Sequence, residues 1–86
     1  MSNLSASRTL SEVEAGKKVF VREVRGGKGI VARMAAMGVV PGAELEVVRN
    51  PGHGPLIIKV KGSFLALGRG EAMKILVQEG SDAGVP

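Results

Sequence analysis

Apolar side chains return at every second position in this chain, in runs only a few residues long, and glycine stands between the runs. Residues 17–24 read KKVFVREV, with Val19 and Val21 on one face and Phe20, Arg22 and Val24 on the other. In residues 43–49, AELEVVR, Leu45 and Val47 alternate with Glu44 and Glu46. Residues 56–61, LIIKVK, set Leu56, Ile58 and Val60 against Ile57, Lys59 and Lys61. Residues 64–67 and 74–78 supply two more short runs, so five strands are predicted. A sheet with one apolar face must bury that face. In a chain of 86 residues it can do so by curling on itself, which also disposes of exposed edges.

One segment changes period. Ile30, Met34 and Met37 recur at helical spacing, and Val31 with Ala35 widens the stripe. Gly38 then stands where a helix commonly ends, and Pro41-Gly42 marks a turn into the next strand. Earlier, Ser11-Glu12-Val13-Glu14 has the spacing of a capping box, which predicts a helical turn ended by Gly16. A further helical turn is predicted over residues 71–73. The expected fold is mainly β, a small barrel of about five strands with one inserted short helix. Residues 1–8 and 79–86 are small and polar and read as a flexible N-terminus and tail around a domain at 9–78.

The core must be aliphatic, because the chain has two phenylalanines and neither tyrosine nor tryptophan. Phe20 and Phe64 fall in strand patterns and are assigned to the core, which leaves no aromatic platform for nucleic acid. The absence of cysteine removes a disulfide framework, thiolate metal sites and a cysteine nucleophile together. No stretch approaches the roughly 18 apolar residues of a bilayer span, and the N-terminus lacks the pattern of a secretory signal. A soluble, cytoplasmic domain is expected. The net charge of +4 comes mainly from residues 8–33, where seven Lys and Arg face Glu12, Glu14 and Glu23, and reads as a solvated basic face.

Candidate chemistry is sparse. Residues 26–30, GGKGI, miss the phosphate-loop pattern, since Arg22 stands where its first glycine should be and Gly29 where a hydroxyl residue should be. Met34 and Met37 suit a soft metal but lie on the predicted core face. His53 is the only histidine, in the loop NPGHGP, with no ligand spacing near it. A histidine tolerates positive φ, so His53 is expected at the tip of the turn, and at most as a weak surface site for Fe(II) or another divalent metal. No catalytic set can be assembled without this one loop histidine, so no enzyme activity is expected.

The stretch RMAAMGVVPGAELEVV, residues 33–48, carries more than secondary structure. Met37-Gly38, Val39, Pro41-Gly42 and the alternating Leu45 and Val47 resemble the helix end, corner and strand of the FeoA family of bacterial ferrous iron uptake. Leu10, Val13 and Gly16 resemble its opening. Gly54-Pro55, Leu56, Ile58, Val60, Gly62, Leu65, Ala66, Glu71-Ala72, Ile75 and Val77 resemble its second half. Ala32 and Met34 depart from the arginine and leucine often found in that helix. The resemblance implies an SH3-like barrel. It also implies a cytoplasmic accessory protein that works with a membrane ferrous iron transporter carrying a cytoplasmic GTPase domain. Because Gly38, Pro41 and Gly42 fix a corner where Val39 or Val40 can be exposed, the docking surface expected comprises Arg33, Met37, Gly38, Val39, Val40, Pro41 and Gly42, with weak self-association besides. A similar barrel closes the iron- and manganese-dependent repressors, which also carry a winged-helix part, so a metal-sensing module is the alternative.

Overall fold

Burial alternates along the strands as the apolar period requires. The computed structural model describes residues 8–79. In it β2 (Lys18–Val24), β3 (Glu44–Arg49), β4 (Leu56–Val60), β5 (Ser63–Leu67) and β6 (Ile75–Glu79) occupy the five predicted runs, with small shifts at their ends. A sixth strand, β1 (Arg8–Thr9), precedes them. It is too short to carry a period and exists through its pairing, Arg8 with Val77 and Thr9 with Leu76. Residues 1–7 and 80–86, most of the predicted flexible ends, lie outside the described residues, while Arg8 and Glu79, also assigned to those ends, stand in β1 and β6.

The strands form one antiparallel sheet in the order β1-β6-β2-β3-β4-β5. β6, last in the chain, sits between the first two strands. Register shifts between Val21 and Glu23 and between Val47 and Arg49 mark bulges, which increase local twist. The inward residues converge on one core, including Leu10, Val13, Val19, Leu45, Leu56, Ile58 and Ile75, all wholly buried. The core is aliphatic as expected, but neither phenylalanine belongs to it: Phe20 is 40% exposed and Phe64 65%. Each alternates with buried neighbours, Val19 and Val21 in one case and the half-buried Leu65 with Leu67 in the other. The strand period therefore turns both rings outward.

Backbone pairing does not join β5 to β1, so the sheet is not closed by hydrogen bonds. Past the ends of these two strands, side chains link Arg69 and Asn50 to residues 11–13, leaving the β5 edge itself untouched. Arg69 opens α2 (Arg69–Ala72), just past β5. Its guanidinium donates to the carbonyls of Gly54 and Ser11, both at 3.0 Å, and to Asn50 Oδ1 at 2.6 Å. The Asn50 amide donates to the carbonyls of Ser11 (3.0 Å) and Val13 (2.8 Å). The helical turn predicted near Ser11 is a 3-10 turn over Leu10–Glu12. It starts two residues earlier than a capping box at Ser11 would place it. Thr9 precedes it without a side-chain cap, and the Thr9 and Ser11 hydroxyls bond each other at 2.7 Å.

The inserted helix, α1, spans Lys28–Ala36. Met34 is its one fully buried residue; Ile30 is half-buried, and Val31 and Ala35 are exposed. The apolar stripe is thus narrower than predicted, because the helix meets the core along a single line. Its C-terminus is closed by a Schellman motif: Gly38 N–H donates to the Ala35 carbonyl at 2.9 Å, and Val39 N–H to that of Met34 at 2.8 Å. Gly38, at φ +89°, supplies the left-handed conformation that this closure needs.

Candidate functional site

The predicted docking corner divides between core and surface. Val39 is 1% exposed and packs with Met34 in the core, so it cannot contact a partner. Its burial follows from the Schellman closure, which sets an apolar residue after the glycine against the last helical turn. Met37 and Gly38 are half-buried. Val40, Pro41 and Gly42 reach the surface, Val40 with 37% of its area exposed.

Val40-Pro41-Gly42-Ala43 is a tight turn, with Ala43 N–H donating to the Val40 carbonyl at 2.9 Å and Gly42 at φ +92°. Two further bonds hold it to β2: Gly42 N–H to the Val21 carbonyl at 2.8 Å, and Val21 N–H to the Ala43 carbonyl at 2.9 Å. At its other flank, a side chain at Gly38 would meet Val60 Cγ2 at 3.6 Å and Lys61 Cδ at 3.7 Å. The corner therefore lies against the β4–β5 turn. Beside it runs a shallow open groove lined by Lys18, Glu44, Glu46, Lys59 and Lys61 over Leu45. Charges of both signs alternate there across register partners, Lys18 opposite Glu46 and Glu46 opposite Lys59. Such a strip suits a mixed-charge protein surface better than a simple anion or cation.

Arg33 does not join this surface. It is exposed on α1 and pairs with Glu71 of α2, whose other carboxylate oxygen accepts from Gly68 N–H at 3.4 Å. The predicted basic face is similarly dispersed. Arg8 pairs with Glu14 (3.2 Å) and Glu79 (2.7 Å), Lys17 with Glu79 (3.7 Å) and Arg25 with Glu23 (3.6 Å). These exposed pairs add little stability each. The Glu14 carboxyl is held below its ordinary pKa, first by a backbone hydrogen bond at Glu14 and then by the Arg8 guanidinium.

His53 is exposed in its loop, but it does not take the positive φ expected of it; Gly52 (φ +96°) and Gly54 (φ +70°) take the strain on either side. Among the described residues no group of three or more His, Cys, Asp or Glu is placed to hold a metal ion. No helix among them is long and apolar enough to cross a membrane. The surface features that sequence reasoning missed are Phe64, whose ring lies under the Lys59 ammonium at 5.6 Å, and Met73, 59% exposed after α2. The in-phase Leu65 and Leu67 were the signal that Phe64 faces outward.

Comparison with known proteins accounts for this combination. The FeoA domain model matches residues 8–79. A Methanocaldococcus jannaschii protein named "Putative Fe(2+) transport protein A" is 41% identical over 75 residues, covering 87% of this chain and 90% of that protein. The crystal structure of an iron uptake regulatory protein (FeoA) superposes with a TM-score of 0.82 at 34% identity, over 86% of this chain and 99% of that one. Stenotrophomonas maltophilia FeoA, solved with zinc and described as a prokaryotic SH3 domain protein, gives 0.72 at 31% identity, over 81% and 88%. A T. acidophilum IdeR shares the fold alone, with a TM-score of 0.79 at 15% identity over 93% of this chain and 37% of that one. With the corner, the SH3-like sheet and the family match in register over residues 8–79, the chain belongs to the FeoA family of ferrous iron transport proteins.

Proposed function

We propose that this protein is a cytoplasmic, non-enzymatic accessory of ferrous iron uptake. It docks through its 37–42 corner onto the membrane transporter that carries a cytoplasmic GTPase domain. The observation that supports this reading is the exposure of Val40 on a turn bonded to β2 on one side and, through Gly38 and Val39, to the end of α1 on the other. An apolar side chain held in that way is an anchor of the kind that dominates small interfaces. Pro41 and Gly42 extend the contact, and Glu44 and Lys61 frame it with opposite charges. Val40→Asp is expected to weaken binding to the transporter's cytoplasmic part by about tenfold or more, ~1.4 kcal/mol. Titration calorimetry of both proteins against that fragment measures it. No association at tens of micromolar, or equal affinity for the variant, would reject the corner as the docking surface.

Metal contact is a lesser part of this reading. A lone exposed imidazole on a loop offers one ligand where a firm Zn(II) or Fe(II) site needs several. Binding through His53 would then be weak and shared between molecules. Titration with Zn(II) should show binding that strengthens with protein concentration and disappears in His53→Ala. A tight, one-to-one site that survives the substitution would favour the metal-sensing alternative instead.

A further inference from the structure

The outer edge of β5 is unguarded. Sheet order ends there, and among the described residues no helix or strand runs along it. The strand reads SFLAL, without charge, proline or glycine, and its ladder with β4 carries no bulge. Sheets commonly protect an edge with one of those devices, because open N–H and C=O groups recruit another strand. β5 has none of them.

The register fixes which groups are open. Val60 and Ser63 flank a two-residue turn at Lys61 (φ 52°) and Gly62 (φ 81°), and the closing pair of such a hairpin is hydrogen-bonded. Alternation then makes Ile58 with Leu65 and Leu56 with Leu67 the other bonded pairs. The backbone N–H and C=O of Phe64 and Ala66 therefore point away from β4, and they meet no partner among the described residues.

We propose that β5 pairs antiparallel with β5 of a second copy, about a two-fold axis at Leu65. Phe64 then bonds with Ala66 of the second copy, and Ala66 with its Phe64, so every open group on the edge is satisfied. The side chains match as well. The exposed Phe64 ring lies opposite the small Ala66 methyl, a large-against-small cross-strand pair, and Leu65 meets its own copy. This self-match favours a second copy over an arbitrary extended peptide. Charge sets the limits of the contact. The strand itself is neutral, but Lys61 and Arg69 bracket it, so the ends of the paired strands bring like charges together. Association should strengthen as salt screens them, the reverse of what an acidic peptide would show. A five-residue edge buries less than a standard interface, so the dimer is weak.

Sedimentation equilibrium of the full chain, from about 10 μM to about 1 mM, tests the proposal. A monomer–dimer equilibrium that tightens with salt is expected. Over the same range the amides of Phe64 and Ala66, but not that of Leu65, should gain protection from hydrogen exchange with concentration. Ala66→Pro removes an outward donor and leaves the bonds to β4 in place; Phe64→Lys charges the edge. Each should weaken association by at least about tenfold, with thermal melting of dilute samples showing whether the variant is folded. If one variant fails to fold, the other and the wild-type exchange pattern decide. A monomer at the highest concentration, a dimer unaffected in the folded variants, or protection gained elsewhere would overturn the inference.

Discussion

Met34→Ala is expected to lower unfolding free energy by about 2–5 kcal/mol, the range for deleting a buried methionine side chain. Met34 is wholly buried, and it is the one residue of α1 that is. It also packs with Val39, the residue that follows the helix-ending glycine, so its loss leaves a void under both the helix and the corner. The effect should be larger locally than globally. Urea denaturation measures the global loss; amide exchange should show α1 opening well before the sheet does. Met34→Leu keeps most of the volume and should cost less than about 1.5 kcal/mol. If Met34→Ala costs under about 1 kcal/mol, α1 is not anchored through this side chain.

Asn50→Ala is expected to cost roughly 1–3 kcal/mol, because it takes from the Val13 carbonyl and the Gly52 N–H the side chain that each bonds. The Asn50 amide serves the carbonyls of Ser11 and Val13, and its oxygen accepts from Arg69 and from Gly52 N–H at 3.1 Å. Arg69→Ala should cost a similar amount. The two losses should not add in the double variant, since both side chains serve the Ser11 carbonyl and each other. Denaturation of the two single variants and the double variant closes the cycle. Simple additivity would mean that Arg69, Asn50 and residues 11–13 are held together by packing rather than by this network.

The strands were legible because burial imposes a period of two, and Leu45-x-Val47 or Leu56-x-Ile58-x-Val60 cannot satisfy it in any other way. The same rule, applied strictly, would have placed Phe20 and Phe64 on the outside; treating an aromatic ring as core by type overrode the spacing. β1 was illegible because two residues carry no period and its only cause is a partner some seventy positions away. Arg69 and Asn50 were illegible for the same reason, since nothing local tells a polar side chain which carbonyl it will find. Of the candidate site, the corner was readable through Gly38, Pro41 and Gly42, whose backbone requirements are local. Which of its two valines would be exposed depended on how the helix ended. Arg33 looked available until α2 brought Glu71 beside it.

The position of β6 between β1 and β2 bears on how the chain acquires its shape. β2, β3, β4 and β5 pair in the order in which they are made, so each finds its neighbour soon after synthesis. β2's other side stays vacant until residues 75–79 exist, and filling it closes loops that span most of the chain. Contacts so remote in sequence are slow to form. The final strand therefore turns a meander into a domain, and until it arrives the nascent chain carries two open strand edges, on β2 and on β5.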